Sequence, residues 1–475
     1  MSEVNLSAAM DGVQAMSMPP ASLRVLYLFD CNLNATFSSL PLYSSNLTSL
    51  VSLGLGGNYF HGPIPNGLLG NMTYLEKLGL GGNDLISMIP RTLKNLHNLK
   101  KLILWDNQIN GDIAELMKRL PPKIEGLYLS ANNLVGSLPS WLEHMTSLRY
   151  LYLGYNSLRG PIPFGIGKLT NLSGLYLSSN HFVGIISEDH FANLTRLEYL
   201  SLSDNSNLTM LAKLDYLHVL DLAHNNLSGT IAPSLVNFTA MTIFSSYGSY
   251  YLPDFISLLV VTKGQALEYY SNTIMSLMSS LDLSSNYLSG TIPQEIGGLA
   301  TLKNLNLSGN RLIGNIPETM GGLRSLESLD LSNNELYGEI PPTLSVLTFL
   351  SYLNLSYNNL SGRIPSGQQL QTLDDPSIYK GNNNLCGPPI SKNCSGGDGT
   401  TLDDPLELED GNEMSSFYLS MGLGFAVGLW VVIGPLLFKR TWCATYFLFI
   451  DNICDKIYVF MVLNWARLIA NIKKK

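Results

Sequence analysis

The chain has 475 residues and a formal net charge of −8, with 45% hydrophobic and 13% charged residues. This length accommodates two or three ordinary domains or one long repeat array, and the apolar fraction can supply a core. The acidic balance argues against a nucleic-acid-binding protein, which is usually basic. No Lys or Arg occurs between Lys392 and Lys439, whereas residues 439–475 carry seven basic and two acidic residues. The two sides of this gap are therefore predicted to face different compartments.

A repeat of the form LxxLxLxxNxLxGxIP runs through most of the chain. Its asparagine position is filled in twelve copies, namely Asn58, Asn83, Asn107, Asn132, Asn156, Asn180, Asn205, Asn225, Asn286, Asn310, Asn334 and Asn358. Cys31 fills the same position in the first complete copy, which makes about thirteen plant-type repeats. The pattern predicts an α/β leucine-rich-repeat solenoid with a parallel concave sheet.

The repeat also predicts local structure. Leucines that alternate with polar residues in LxL are typical of a strand with one buried face. The asparagine amide is expected to bond the turn backbone of its own and the neighbouring repeat, with Cys31 as a small buried substitute. The Gly-x-Ile-Pro segment predicts an extended return with turns and no long helix.

The irregularities of the repeat divide the chain. The interval from Asn205 to Asn225 is short, and the interval from Asn225 to Asn286 contains an apolar insert that we expect to fold against the solenoid. We predict leucine-rich repeats over 1–235, an island over 236–276, four repeats over 277–365, a cap over 366–396, an acidic spacer over 397–414, a single transmembrane helix over 415–438 and a cytoplasmic basic tail over 439–475.

Cys386 and Cys394 frame the predicted cap. A disulfide there would staple the last layer of the solenoid and would require an oxidising compartment. A metal site is the alternative, but two cysteines without a nearby histidine supply too few ligands. No cofactor is predicted.

The apolar segment from Phe417 to Phe438 is long enough to span a bilayer, because a helix of its length reaches about 33 Å against roughly 30 Å of hydrocarbon. The basic residues that follow it predict a cytoplasmic tail and extracellular repeats. Ser420, Gly424 and Gly428 recur every fourth residue, which favours close packing with a partner helix. The tail is typical of an amphipathic segment that contacts anionic membrane lipid.

No catalytic constellation is visible, so we predict that the chain is not an enzyme. The seven histidines are scattered, and none has metalloprotease or zinc-site spacing. Binding surface is the alternative use of a solenoid. The strand positions between leucines should face the concave side, where clustered aromatic residues suit ligand recognition. The ligand-binding candidates are Trp105, Asp106, Tyr128, Tyr150, Tyr152, Tyr155, Tyr176 and Tyr199. A tyrosine ladder that only covers the sheet is the alternative.

A small polar column in the last repeats is a second candidate face, for a partner protein or as consensus filler. It consists of Asp282, Asn306, Asp330 and Asn354. Thirteen Asn-x-Ser/Thr acceptors also occur, a number that fits a glycosylated ectodomain. The glycosylation candidates are Asn34, Asn46, Asn71, Asn171, Asn193, Asn237, Asn306 and Asn354.

The combination resembles the plant leucine-rich-repeat receptor-like proteins. The resemblance rests on the LxGxIP repeats, the island that opens into Val261-Thr-Lys-Gly264, four further repeats, the Leu385-Cys-Gly-Pro-Pro389 cap and the short tail. It is greatest to the defence group that senses fungal xylanase and effector proteins. The resemblance implies perception of an extracellular protein or peptide at the plasma membrane. It also implies signalling through an adaptor receptor-like kinase and a co-receptor, because family members have no kinase. By the same resemblance, the polar column of the last repeats would face the co-receptor, and the small residues of the membrane helix would meet the adaptor kinase.

The start of the chain departs from that family. Residues 1–20 lack the basic start and apolar segment of a signal peptide. Val4-Asn-Leu-Ser7 is similar to the end of a repeat, which predicts an N-terminally incomplete array. A truncated, non-signalling decoy or degenerate paralogue is one alternative function, and an inhibitor-type binder of a secreted enzyme is another.

Overall fold

The computed structural model describes residues 22–36, 48–64, 72–205, 207–211, 217–231, 233, 241, 258–262, 265–269 and 279–394. The predicted spacer, transmembrane helix and tail lie outside these residues, and so do Ser420, Gly424 and Gly428. Within the described part of the chain, no helix has both the length and the apolar character needed to cross a bilayer.

Thirteen parallel strands, one from each repeat, form a single sheet that we name the main sheet. Equivalent leucines pair across it, as Leu151 does with Leu127 and Leu175. Each layer thereby buries its leucines against the next, which confirms the predicted parallel repeat architecture. The strands are β1 (Val25–Tyr27), β3 (Ser52–Gly54), β5 (Lys77–Gly79), β7 (Lys101–Ile103), β9 (Gly126–Tyr128), β11 (Tyr150–Tyr152), β13 (Gly174–Tyr176), β15 (Tyr199–Ser201), β17 (Val219–Asp221), β21 (Ser280–Asp282), β23 (Asn304–Asn306), β25 (Ser328–Asp330) and β27 (Tyr352–Asn354).

The Leu-x-Gly part of each repeat adds strands to three lateral sheets of three, five and six strands. The first holds β2 (Asn34–Thr36), β4 (Tyr59–Pro63) and β6 (Asp84–Ile86). The second holds β8 (Asn110–Asp112), β10 (Asn133–Gly136), β12 (Ser157–Gly160), β14 (His181–Ser187) and β16 (Asn207–Leu211). The third holds β18 (Ser228–Thr230), β22 (Tyr287–Thr291), β24 (Arg311–Gly314), β26 (Glu335–Glu339), β28 (Asn359–Arg363) and β29 (Asn384–Cys386).

Single 3-10 turns close most of the returns, at Arg91–Asn95, Ser140–His144, Phe164–Lys168, Glu188–His190, Gln294–Gly298, Glu318–Gly322, Pro342–Val346 and Pro376–Tyr379. The α-helices of the described residues are the short α1 (Ile113–Met117) and α2 (Gln368–Gln371). The α/β assignment is therefore wrong for this part of the chain. Proline begins most returns, and the few residues before the next leucine leave room for only one tight turn. The predicted extended return is confirmed.

The asparagine column forms a buried hydrogen-bond ladder between repeats. In a representative layer, Asn156 Nδ2 donates to the carbonyls of Leu129 (3.0 Å), Leu153 (3.0 Å) and Gly154 (3.1 Å). Asn156 Oδ1 accepts from the backbone N–H of Leu134 at 3.0 Å. One side chain thus satisfies four backbone groups that would otherwise be buried and unpaired, which confirms the predicted structural role.

Cys31 occupies the ladder position in its layer and is buried and unpaired as a thiol. Its Sγ donates to the Phe29 carbonyl at 3.2 Å, and its backbone N–H donates to Asn58 Oδ1 at 3.1 Å. A cysteine therefore keeps the contact to the next layer through its backbone, while its side chain satisfies only one carbonyl.

The short repeat and the insert leave the main sheet continuous. β17 pairs directly with β21, and Asn286 Nδ2 donates to the Leu222 carbonyl at 2.9 Å. On the lateral side, by contrast, the second sheet ends at β16 and the third begins at β18, on either side of the short repeat. In the insert, β19 (Leu258–Thr262) and β20 (Gln265–Tyr269) form an antiparallel hairpin. Met241 is buried, and its carbonyl accepts from Thr301 N (3.0 Å) and Oγ1 (2.7 Å).

The cap extends the ladder by one further layer. Leu360 N–H donates to Asn382 Oδ1 at 2.9 Å, and Asn382 Nδ2 donates to the Leu355 carbonyl at 2.9 Å. The sequence predicts that the repeat ends after Pro365, so the ladder position of Asn382 was missed. Cys386 and Cys394 are joined in a disulfide, which secures the chain that leaves the last lateral strand.

Candidate binding site

Five of the ligand-binding candidates form a buried aromatic cluster on the main sheet. Their exposed fractions lie between 1% and 7%, and the five are Tyr128, Tyr150, Tyr152, Tyr176 and Tyr199. The ring centroids of Tyr128 and Tyr152 are 5.2 Å apart in an edge-to-face arrangement, and those of Tyr152 and Tyr176 are 5.9 Å apart. The predicted exposure of these five residues is therefore wrong, because each ring covers its neighbour and the strand beside it.

Glycines on the same sheet make this packing possible. A Cβ atom at Gly174 would lie 2.8 Å from the Tyr152 ring, and one at Gly154 would lie 2.5 Å from the Tyr176 ring. Both tyrosine rings therefore lie where a side chain would otherwise stand. Among the described residues, the buried hydroxyls of Tyr128 and Tyr152 lack a hydrogen-bond partner. Burial raises the pKa of both phenols well above their usual value.

The other three ligand-binding candidates reach the surface beside this cluster. Trp105 packs against it and is only partly buried, Asp106 is exposed, and Tyr155 is 42% exposed. Asp106 and Tyr155 immediately precede ladder asparagines and have positive φ angles of 51° and 54°. The residue before the ladder asparagine has a positive φ in most repeats, as at Ala131 (53°) and Ser179 (50°), so this conformation belongs to the turn of the repeat. Of the eight ligand-binding candidates, five are thus buried in the cluster and three reach solvent beside it.

The polar column of the last repeats forms a row on neighbouring strands that contains two hydrogen-bonded pairs. Asn306 Nδ2 donates to Asp282 Oδ2 at 3.1 Å, and Asn354 Nδ2 donates to Asp330 Oδ2 at 3.2 Å. Asp282 is only 3% exposed and Asn306 is 9% exposed, while Asp330 and Asn354 are half-buried. The expectation of a solvent-facing partner surface is therefore wrong for Asp282 and Asn306, whose polar atoms are used within the sheet.

Asp221 is a member of this row that the candidate set omits. It pairs in register with Asp282, and its Oδ2 accepts from the hydroxyls of Ser201 (2.8 Å) and Ser203 (2.6 Å). Burial and the neighbouring carboxyl of Asp221 raise the pKa of Asp282 to about 7. Burial likewise raises the pKa of Asp221. The sequence signal for Asp221 is that an aspartate stands between the two leucines of LxL both before and after the insert.

A cleft of about 500 Å³ lies between the last repeat and the cap. Its lining includes Tyr352, Asn354, Tyr357, Asp374 and Lys380. Tyr357 has a positive φ of 54°, and Lys380 Nζ lies 5.7 Å from the centroid of its ring. This cleft combines an aromatic face with charges of both signs. Asn354 is the member of the polar column that lines it.

The glycosylation candidates differ in accessibility. Asn34 and Asn193 are exposed, whereas Asn46, Asn71 and Asn237 lie outside the described residues. Asn171 Nδ2 donates to the Thr146 carbonyl at 3.0 Å. In Asn306 and Asn354 the nitrogen that would carry a glycan donates to Asp282 or Asp330 in the main sheet.

Comparisons with known proteins agree with this architecture. Two families, both described as leucine-rich repeat, match residues 97–158, 122–182, 216–238, 278–299, 301–323, 325–347 and 349–369. The chain resembles Receptor-like protein EIX2 of Solanum lycopersicum, with 56% identity over 228 residues, 46% of this chain and 22% of that protein. It also resembles Receptor-like protein 53 of Arabidopsis thaliana, with 30% identity over 63% of this chain and 26% of that protein. The matches thus span about a quarter of these relatives' lengths.

Solved structures of plant receptors share the fold. A crystal structure of a TDR receptor has a TM-score of 0.59 and 27% identity, and covers 77% of this chain and 56% of that one. The receptor kinase HAESA, in complex with the peptide hormone IDA and the co-receptor SERK1, has a TM-score of 0.51 and 28% identity over 78% and 67% of the two chains. By its repeats, its cap and these relatives, the chain belongs to the leucine-rich-repeat receptor-like proteins of plants.

Proposed function

We propose that this chain forms part of a plasma-membrane receptor that binds an extracellular protein or peptide and signals through partner receptor kinases. The observation that carries the proposal is a continuous main sheet with an exposed tyrosine, Tyr155, beside a buried aromatic cluster. Similar folds support it, since one solved structure that shares the fold is PEPR1 with AtPEP1 and another is HAESA with a peptide hormone.

The proposed ligand contacts Trp105, Asp106 and Tyr155, and the five buried tyrosines hold these residues in place. Aromatic residues with a fixed orientation give contact area at little entropic cost, which is why they dominate binding energetics. Asp106 adds a charge beside Trp105, at the turn that is equivalent to the turn of Tyr155 two repeats later. A secreted fungal xylanase is the ligand class that the family resemblance implies, so it serves as the probe.

The test compares two exposed tyrosines on different faces. Tyr155→Ala should weaken binding of purified xylanase to the full chain at least about tenfold, as expected for a contact residue. Tyr287→Ala is the matched control, because Tyr287 is 48% exposed but lies in a lateral strand. Equal affinity of both variants would contradict the proposed ligand face, and absence of xylanase binding would contradict the ligand class.

We propose that the membrane segment and the last repeats recruit the partners. The small-residue face of Ser420, Gly424 and Gly428 would pack against the membrane helix of an adaptor kinase. The cleft that contains Asn354 and Tyr357 would face a co-receptor ectodomain, consistent with a relative that was solved with one. The repeats would be extracellular, the tail would be cytoplasmic, and membrane lipid would contact the helix and tail.

A tagged full chain tests this arrangement in plant cells. Surface labelling should detect the repeats, and adaptor kinases should co-precipitate with the chain. Changing both Gly424 and Gly428 to Leu should reduce co-precipitation, whereas Val427→Leu should leave it unchanged. A surface chain that binds the ligand without recruiting any kinase would be a decoy.

A further inference from the structure

Two Asn-x-Ser acceptors outside the candidate set face solvent beside the lateral sheets. Asn226 precedes β18 and Asn359 begins β28, and both side chains are exposed. Each directly follows a buried ladder asparagine, Asn225 or Asn358. We propose that Asn226 and Asn359 carry N-linked glycans in the mature protein, and that Asn306 and Asn354 do not.

The geometry of an extended segment presents both parts of these acceptor sites together. Successive side chains point to opposite faces, so residues two positions apart share a face. Leu360 is fully buried between Asn359 and the half-buried Ser361, and Leu227 is 5% exposed between Asn226 and the exposed Ser228. The acceptor amide and the hydroxyl therefore lie on the same outward side, where a bulky solvated sugar has room.

The same triplet in the main sheet faces inward. Asn306 Nδ2 donates to Asp282 Oδ2, and Asn306 Oδ1 accepts from both the N–H (3.2 Å) and the hydroxyl (2.7 Å) of Ser308. Asn354 repeats this arrangement, with Asp330 as acceptor and the Ser356 hydroxyl as donor at 2.7 Å. Whenever the sugar is added, a chain that carries one at these positions would have to break the row in order to fold.

The chemistry places the new bond at the amide nitrogen. Nδ2 attacks the anomeric carbon of a lipid-linked oligosaccharide diphosphate, the bond from that carbon to the diphosphate breaks, and the lipid diphosphate leaves as the amide loses one proton. The inference rests on the proposed function, because only a chain that enters the secretory pathway meets this donor. Glycans at Asn226 and Asn359 would cover lateral positions and leave the main sheet open to a ligand.

The full chain is expressed in plant leaf cells, extracted from membranes and digested for glycopeptide mass spectrometry. Glycosylated peptides are expected at Asn226 and Asn359, and Asn226→Gln and Asn359→Gln should each remove the mass of one glycan. Asn306→Gln and Asn354→Gln should remove none. If a Gln variant fails to accumulate, Ser228→Ala or Ser361→Ala tests the same site with the asparagine retained.

A glycan at Asn306 or Asn354 on the membrane-extracted chain would overturn the inference. Glycans at Asn34 or Asn193 with none at Asn226 and Asn359 would overturn it as well, while leaving the proposed surface location intact. A chain without any glycan would contradict both the inference and the surface location. The two failures are therefore distinguishable in one experiment.

Discussion

Asp221 and Asp282 lie in register on neighbouring strands of the main sheet, although the whole insert separates them along the chain. The side chain of Asp282 is buried and that of Asp221 is half-buried. The hydroxyls of Ser201 and Ser203 donate to Asp221, and the amide of Asn306 donates to Asp282. Two like charges at this spacing repel each other, and burial penalises each of them further. The pairing of β17 with β21 therefore brings together two carboxyl groups whose protonation depends on pH.

We expect the contribution of Asp282 to stability to fall as pH rises from about 4 to 8. The folded-state pKa of Asp282 is raised to about 7, above the unfolded value of about 3.9. The folded chain binds more protons, so the stabilisation is complete below the unfolded pKa and is lost as pH rises through the folded pKa. In thermal unfolding between pH 4 and 8, the unsubstituted chain should lose stability relative to Asp282→Asn as the pH rises. Asp330→Asn is the control, and the same pH-dependent difference with this variant would contradict the assignment to Asp282.

Loss of a ladder asparagine should be strongly destabilising. Asn156→Ala leaves four buried backbone groups without partners, which should lower the free energy of unfolding by about 2–5 kcal/mol. Asn156→Cys should cost less, because Cys31 occupies the same position with one side-chain hydrogen bond retained. Chemical denaturation measures both variants. The exposed neighbour Asn133 provides the control, and Asn133→Ala should change the midpoint little.

The tyrosine cluster should tolerate loss of a hydroxyl but not of a ring. Tyr152→Phe removes a buried group that has no partner among the described residues, so stability should stay the same or increase. Tyr152→Ala should cost about 3–5 kcal/mol through the cavity that it creates. A large loss in the phenylalanine variant, measured by the same denaturation, would show that the hydroxyl makes an important hydrogen bond.

A methyl group under the cluster should also destabilise the sheet. Gly174→Ala places a Cβ 2.8 Å from the Tyr152 ring, and such overpacking costs about 1–3 kcal/mol. Gly298→Ala is matched in chemistry but has no atom within 4 Å of the new Cβ, so it should be neutral. Melting temperatures of the two variants distinguish these outcomes, and equal values would mean that the ring can move aside.

Opening the cap should weaken the C-terminal layers. Cys394→Ser removes a disulfide that spans eight positions, and the chain-entropy estimate for a loop of this size is about 2–3 kcal/mol. Reduction of the unsubstituted chain should reproduce the loss, while the variant should be insensitive to reductant. If reductant lowers the melting temperature of the variant too, the effect comes from elsewhere.

The sequence alone determined the repeat architecture, because Asn156 and its equivalents recur at positions where no other side chain satisfies the same four backbone groups. It also indicated the cysteine pair of the cap and the extended returns. These features are local or repeat at a fixed interval, so the linear pattern records them directly.

Only the tertiary structure decided which aromatic and polar side chains reach solvent. Tyr152 and Tyr155 are three residues apart, yet one lies over Gly174 of the next strand and the other stands at an exposed turn. Asp221 and Asp282 become neighbours only because the insert leaves the main sheet unbroken. Burial depends on what the adjacent repeats place beside a residue, and spacing along one repeat does not contain that information.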